Sequence, residues 1–295
     1  MENSQQIQNS KVAIQGGNGS FHEIAARKYF NGNGIEILPC ITFDDIATSL
    51  KTGTSKYGVM AIENTVAGSI LQNYSILKEK PVAIIGEEYL PIEQNLMALP
   101  GQSIGDLKEV HSHYMAIEQC RAFFADFPQI KLVESSDTAL SAKEISENGI
   151  IGRGAIASRL AAEIYKLDIL AAGIETNKRN YTRFLILEKE QAISPETPES
   201  DKSSLCFSLL HQTGSLSKVL SIIAFYDINL TKIQSMPILG KEWQYFFYID
   251  VIFDDYQRYR QCLSAIAPLV DGLQLLGEYK QGRKSFGNIY KDLEI

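Results

Sequence analysis

The chain has 295 residues, 45% hydrophobic and 21% charged, which is enough for two domains and a sizeable core. A formal charge of -7 leaves no basic stripe to neutralise phosphates, so the balance argues against a nucleic-acid partner. Cys40, Cys120, Cys206 and Cys262 form no CxxC or Cys/His cluster, and no apolar run is long enough to span a membrane. The reading is therefore of reduced thiols in a cytoplasmic protein with no metal site and no membrane partner.

The polar stretch Met1–Ser10 has no apolar h-region and reads as a frayed tail. After it, short apolar runs alternate with helical periods. Strands are expected at Val12–Ile14, Ile35–Leu38, Gly58–Ile62, Val82–Ile85, Glu109–His111 and Lys131–Glu134. Helices are expected at Glu23–Phe30, Asp44–Lys51, Met115–Ala125 and Ala139–Glu147. That alternation predicts βαβ units around a parallel sheet. Phe184–Leu187 reads as a buried strand entered from the polar Asn180-Tyr181-Thr182-Arg183. Gln191–Lys202, with two prolines and three acidic residues, has linker composition. Beyond it, strands are expected at Ser203–His211, Ile228–Leu239, Trp243–Phe253 and Leu273–Tyr279. Helices at Gly214–Asp227 and Tyr256–Leu269 complete the order βαββαβ, a ferredoxin-like sandwich.

Several strand ends carry small polar groups. Gly16 to Ser20 joins a strand to a helix without the spacing of a dinucleotide or Walker loop. It fits a carboxylate cradle about as well as a turn with an N-cap at Ser20. In Glu63-Asn64-Thr65 the glutamate reads as a cap, while Asn64 and Thr65 are candidate donors to a ligand. Ser112 is a candidate cap for the helix carrying Gln119, and His113 reads as structural rather than catalytic. Ser135-Ser136-Asp137-Thr138-Ala139 repeats the pattern of strand, hydroxyl-rich turn and helix. Neutral donors with one arginine suit a small carboxylate. Thr182 and Arg183 point to opposite faces of a strand, so they share a ligand only where a strand end turns.

In their order along the chain, Gly16–Phe21, Ile62-Glu63-Asn64-Thr65, Ser112-His113, Gln119-Cys120, Asp137-Thr138-Ala139 and Thr182-Arg183-Phe184 resemble the prephenate dehydratase family. Gly214-Ser215-Leu216-Ser217 and Ile228–Ile233 resemble the ACT regulatory domain that follows in that family. The resemblance covers nearly residues 11 to 285. It implies an α/β catalytic part of two lobes, similar to periplasmic binding proteins, over 11–190. A linker at 191–202 and a ferredoxin-like ACT domain over 203–285 follow. It implies loss of water and carbon dioxide from prephenate, without cofactor or metal. Thr182 and Arg183 would be catalytic, and Gly19, Ser20, Asn64, Thr65, Ser112, Gln119, Thr138, Ala139 and Phe184 would bind substrate. L-phenylalanine would act as allosteric effector near Gly214, Ser215, Leu216 and Asn229, in a homodimer or homotetramer. The chain departs from the family at Tyr114, where proline is common, and at Gln234-Ser235-Met236-Pro237, which lacks the family's arginine. Gly-Ala-Leu appears as Gly214-Ser215-Leu216. These last departures bear on regulation. Rival readings are an arogenate dehydratase, or an amino-acid-binding or sensor protein without catalysis.

Overall fold

A computed structural model describes residues 10–32, 34–191, 197–238 and 240–282. The frayed-tail residues 1–9, residues 192–196 of the expected linker, Leu239 of the expected strand and residues 283–285 of the expected regulatory part lie outside the described residues.

The first half runs β1 (Lys11–Gln15), α1 (Phe21–Tyr29), β2 (Glu36–Cys40), α2 (Phe43–Thr52), β3 (Tyr57–Asn64), β4 (Gly68–Ser69), α3 (Leu71–Glu79) and β5 (Val82–Pro91). Then come β6 (Asn95–Ala98), β7 (Glu109–His113), α4 (Tyr114–Phe124), β8 (Lys131–Ser135), α5 (Thr138–Asn148), β9 (Arg153–Ala157), α6 (Arg159–Tyr165), β10 (Asp168–Ala171) and β11 (Tyr181–Lys189). Helix boundaries follow local chemistry. In α2, Thr42 and Asp45 exchange hydrogen bonds as a capping box, and Gly53 ends the helix in left-handed backbone.

The chain divides into two compact units. One comprises Met1–Ile70 and Glu88–Phe184, the other Leu71–Glu87 and Leu185–Ile295. β5 and β11 pass from one unit into the other. One sheet has the order β2-β1-β3-β11-β5, with β4 paired to β3, and the second has β10-β6-β9-β7-β8. The expected parallel arrangement holds for β1 with β2 and β3, and for β7 with β8 and β9. β6 runs antiparallel to both β9 and β10, so the second sheet is mixed. β6, β9 and β10 give no period-2 signal because each is only four or five residues long; β6 is buried throughout, β9 at all but its first residue, and β10 has one exposed aspartate ahead of three half-buried residues. β5 extends well past Ile85. Glu87 and Glu88 break the apolar pattern, but each finds a cation, Lys202 at 2.8 Å and Lys28 at 2.6 Å. Paired carboxylates tolerate burial in a strand where lone ones do not.

The C-terminal sandwich runs β12 (Lys202–Ser208), α7 (Ser215–Phe225), β13 (Asn229–Pro237), β14 (Tyr245–Ile252), α8 (Tyr256–Ile266), a short turn of 3-10 helix (Ala267–Leu269) and β15 (Asp271–Tyr279). Its antiparallel sheet has the order β13-β14-β12-β15. Leu205, Phe207, Ile249 and Val251 pack under the helices, where Phe253 stacks on Tyr259 at 4.1 Å. Lys202, expected in the linker, opens β12. Trp243 lies outside β14, 73% exposed and at φ 59. The second face of β14 meets α3: Tyr248 packs on Tyr74 at 5.1 Å and Lys78 sits 3.6 Å over the Phe246 ring. Among the described residues no helix is long and apolar enough to cross a membrane.

Candidate functional site

β3 and β11 lie side by side, and their side chains segregate by face. Arg183, 3% exposed, meets Glu63 at 3.2 Å, while the next pair along is Asn64 with Thr182. Glu63 therefore braces Arg183 and does not cap. Thr182 and Arg183 both lie within the strand, and on alternating faces they have different neighbours. Thr182 and Arg183 are the second and third residues of β11. Phe184, expected to bind substrate, is instead 1% exposed and packs edge-on against His22 at 4.9 Å. His22 accepts from the Ala61 amide at 3.3 Å, and burial pushes its pKa down to about 3, so it stays neutral.

Thr182, 8% exposed, sits in a network of amides. Asn64 Nδ2 donates to Thr182 Oγ1 at 2.9 Å, to Asn180 Oδ1 at 2.7 Å and to the Tyr181 carbonyl at 3.1 Å. Asn64 Oδ1 accepts from the amides of Val66 and Ala67, which fixes the Asn64 amide in this sense. Because the Thr182 oxygen accepts from Asn64, its own proton is directed elsewhere. No acceptor for it occurs among the described residues. Asn180 Nδ2 donates to Gln119 Oε1 at 2.9 Å, and Gln94 Nε2 reaches the same oxygen at 3.3 Å. The run ends at Gln94 Oε1, which is buried without a hydrogen-bond partner. An unmade bond of this kind costs about 1–3 kcal/mol. Asn180 and Gln94 were not among the expected site residues. The available signal was Asn180 itself, an amide directly ahead of the buried strand.

Other expected ligand groups have internal partners. Thr65 donates to the Arg179 carbonyl at 3.0 Å and accepts from the Tyr181 amide at 2.9 Å, so it braces the approach to β11. Ser112 is fully buried and donates to the Ile156 carbonyl at 2.7 Å. The cap of α4 is His113, whose Nδ1 accepts from Met115. Ser112 thus does not cap α4, and its hydroxyl is engaged by the chain itself. Ser20 caps α1, accepting from Glu23.

The glycine loop is gripped from the second sheet's side. The Gly19 amide goes to Glu23 at 2.6 Å, and its carbonyl accepts from Ser158, the cap of α6, at 2.5 Å. Asn18 accepts from Tyr165 at 3.0 Å. Asp137 caps α5 and also accepts from the Gly17 amide, and burial raises its pKa. A carboxylate of the chain therefore already occupies the loop, so the loop is no empty cradle. Ala139 is wholly buried in the core behind α5, while Thr138 is half-buried at that helix's first turn. The structure thus brings together Asn64, Gln119 and Thr182, and places Gly19, Ser20, Ser112, Ala139 and Phe184 in packing or capping roles.

In the sandwich, Gly214 begins α7 at φ +83, with half-buried Ser215 and Leu216 in its first turn. Asn229 follows beyond the far end of that helix, an eleven-residue span of ~16 Å. Within one chain the four expected effector residues are not brought together.

Two α/β sheets, one of them mixed, with a hydroxyl held among amides, make a periplasmic-binding-protein-like α/β scaffold. Residues 12–192 match the profile of the family described as prephenate dehydratase, and the chain belongs to that family. A bifunctional chorismate mutase/prephenate dehydratase of Aquifex aeolicus is 33% identical over 91% of this chain and 73% of its own length. An arogenate dehydratase/prephenate dehydratase of Arabidopsis thaliana is 37% identical over 81% of this chain and 64% of its own. Among solved structures, a prephenate dehydratase of Arthrobacter aurescens in complex with L-Phe superposes with a TM-score of 0.81 at 25% identity. It covers 96% of this chain and 98% of that one. The fold is the two-lobed α/β type with mixed sheets found in the family.

Proposed function

We propose that the protein converts prephenate to phenylpyruvate, water and carbon dioxide on the route to L-phenylalanine, as a carbon–oxygen lyase. The C–O bond to the ring hydroxyl breaks as the carboxylate leaves as carbon dioxide, and the electron pair it gives up closes the aromatic ring. Aromatisation drives the step, so the protein has to hold the substrate and donate a proton or hydrogen bond to the departing oxygen. No cofactor or metal is needed for that chemistry. The observation that carries this reading is Thr182: Asn64 occupies its oxygen and leaves its proton directed elsewhere. A threonine hydroxyl is a weak acid, so its contribution is stabilisation of the leaving group more than full transfer, and the departing hydroxide takes its proton from solvent to leave as water. Asn64 and Gln119 position it, and Thr138 is the remaining hydroxyl for substrate. Arg183 orders β3 against β11 through Glu63.

The proposed domain bounds are 11–190 for the catalytic part, 191–202 for the linker and 203–285 for an ACT-type regulatory part. The βαββαβ order and the Gly214-Ser215-Leu216 turn support the last of these. L-phenylalanine, present in the Arthrobacter structure, is the proposed effector. A cytoplasmic homodimer or homotetramer belongs to the same reading. The test is purified protein offered prephenate and arogenate separately, with product absorbance followed. Prephenate turnover is expected, and Thr182→Ala should lower it about 10²- to 10⁴-fold. Turnover of arogenate alone, or an undiminished Thr182→Ala, overturns the assignment.

A further inference from the structure

Asn180 stands just ahead of β11, 1% exposed, with both ends of its amide engaged. Its Oδ1 accepts from Asn64 at 2.7 Å and its Nδ2 donates to Gln119 at 2.9 Å, while its backbone carbonyl accepts from Ile92 at 2.8 Å. The sense of each amide follows from the one before. Val66 and Ala67 fix Asn64, Asn64 fixes Asn180, and Asn180 fixes Gln119 and so Gln94. Asn64 Nδ2 has only two protons for three acceptors, and the two shortest contacts are to Asn180 and Thr182. If Asn180 Oδ1 is removed, Asn64 Oδ1 stays held by Val66 and Ala67, but Nδ2 loses its shortest acceptor and is left to share its protons between the Tyr181 carbonyl and Thr182, so the bond that sets the Thr182 hydroxyl shifts.

We propose that Asn180 is a positioning residue for the reaction: by holding the Asn64 amide between itself and Thr182, it aims the Thr182 proton at the departing oxygen. This rests on the reading of Thr182 given above. Asn180 touches neither substrate nor reacting atoms. Its effect is on turnover through Thr182, and the Michaelis constant is left nearly unchanged.

The test is a double-mutant cycle on kcat and KM with prephenate. Asn180→Leu keeps the volume and removes both hydrogen bonds. Its kcat falls about a hundredfold with KM within about threefold, the loss expected of a misaimed group. In a Thr182→Ala background the same substitution costs less than about threefold, because the group it aims is gone. Asn180→Asp, which retains an acceptor for Asn64, stays within about tenfold of wild type. If Asn180→Leu does not fold, Asn180→Ser replaces it in the cycle. Equal losses in the two backgrounds, a large KM change with kcat unaltered, or Asn180→Leu as active as Asn180→Asp each overturn the proposal. A wild type that leaves prephenate untouched sinks the functional reading itself. An undiminished Thr182→Ala sinks both.

Discussion

Arg183 and Thr182 are adjacent in sequence and separate in chemistry. The guanidinium is 3% exposed and faces Glu63, so its charge is spent on the neighbouring strand. Glu63 is only half-buried, so breaking the pair costs less than it would in a fully buried one. Lysine keeps the charge but loses the planar fork, so the substitution tests geometry. Arg183→Lys should lower stability measurably in urea and cut turnover roughly tenfold, with KM moved less than about threefold. A tenfold rise in KM with unchanged stability would instead make Arg183 an anchor for a substrate carboxylate. His22, neutral because burial holds its pKa near 3, packs against Phe184 on the same strand. That residue was hidden in the sequence because a histidine at a helix start carries no mark of what covers it.

At the scale of elements, the glycine loop shows how close approach is encoded. Gly19 has φ +84, and a Cβ there would lie 2.7 Å from Ala161 Cα, a backbone atom that cannot step aside. Gly53 has φ +76 with nothing within 4 Å, so a side chain placed there meets the backbone strain and no steric clash. Gly53→Ala should cost about 1 kcal/mol and Gly19→Ala about 2 kcal/mol or more beyond that, read by urea denaturation. Equal losses would mean the loop is not gripped by α6. The sequence made the loop, its N-cap and the buried β11 legible, because glycine runs, capping residues and long apolar runs act locally. It did not show that Asp137, Ser158 and Tyr165 reach the loop, since those contacts join residues more than a hundred positions apart. β5 was cut short for the same reason: Glu87 is stabilised by Lys202, 115 residues on. The Gly282 amide also donates to Glu87 at 3.1 Å. Lys202→Met should therefore cost about 3–5 kcal/mol by leaving that carboxylate buried, whereas Lys202→Met with Glu87→Gln should recover most of it. No recovery in the double variant would show that Lys202 acts through packing alone.

At the scale of the whole molecule, β14 opens with the aromatic run Tyr245-Phe246-Phe247-Tyr248, and its own helices can cover only one face of it. α3 already covers part of it, through Tyr74 and Lys78. Among the described residues, β13 is one edge of the sheet, and Phe225 and Trp243 are exposed on the same sandwich. An edge strand offers unpaired backbone groups to a second copy. The effector residues give a separate reason for pairing. β13 runs parallel to β12 and returns alongside α7, which puts Met236 toward the Gly214 end of the sandwich and Asn229 at the other. A ligand touching both Gly214 and Asn229 has to lie between two chains. The homodimer and the L-phenylalanine site are thus one proposal at this scale. Met236 is half-buried and opposite Phe246, where the resemblance to the ACT domain would imply an arginine. A thioether there offers no charge to the effector carboxylate or to the partner. Allosteric coupling typically amounts to about 1–3 kcal/mol, so a single charged contact is a large share of it. L-phenylalanine should inhibit turnover weakly, and Met236→Arg should move the inhibition midpoint to lower concentration by roughly five- to tenfold. The measurement is prephenate turnover titrated with L-phenylalanine for both proteins, with mass in solution followed at the same concentrations. A variant no more sensitive than wild type, while still dimeric, would remove Met236 from the account of feedback.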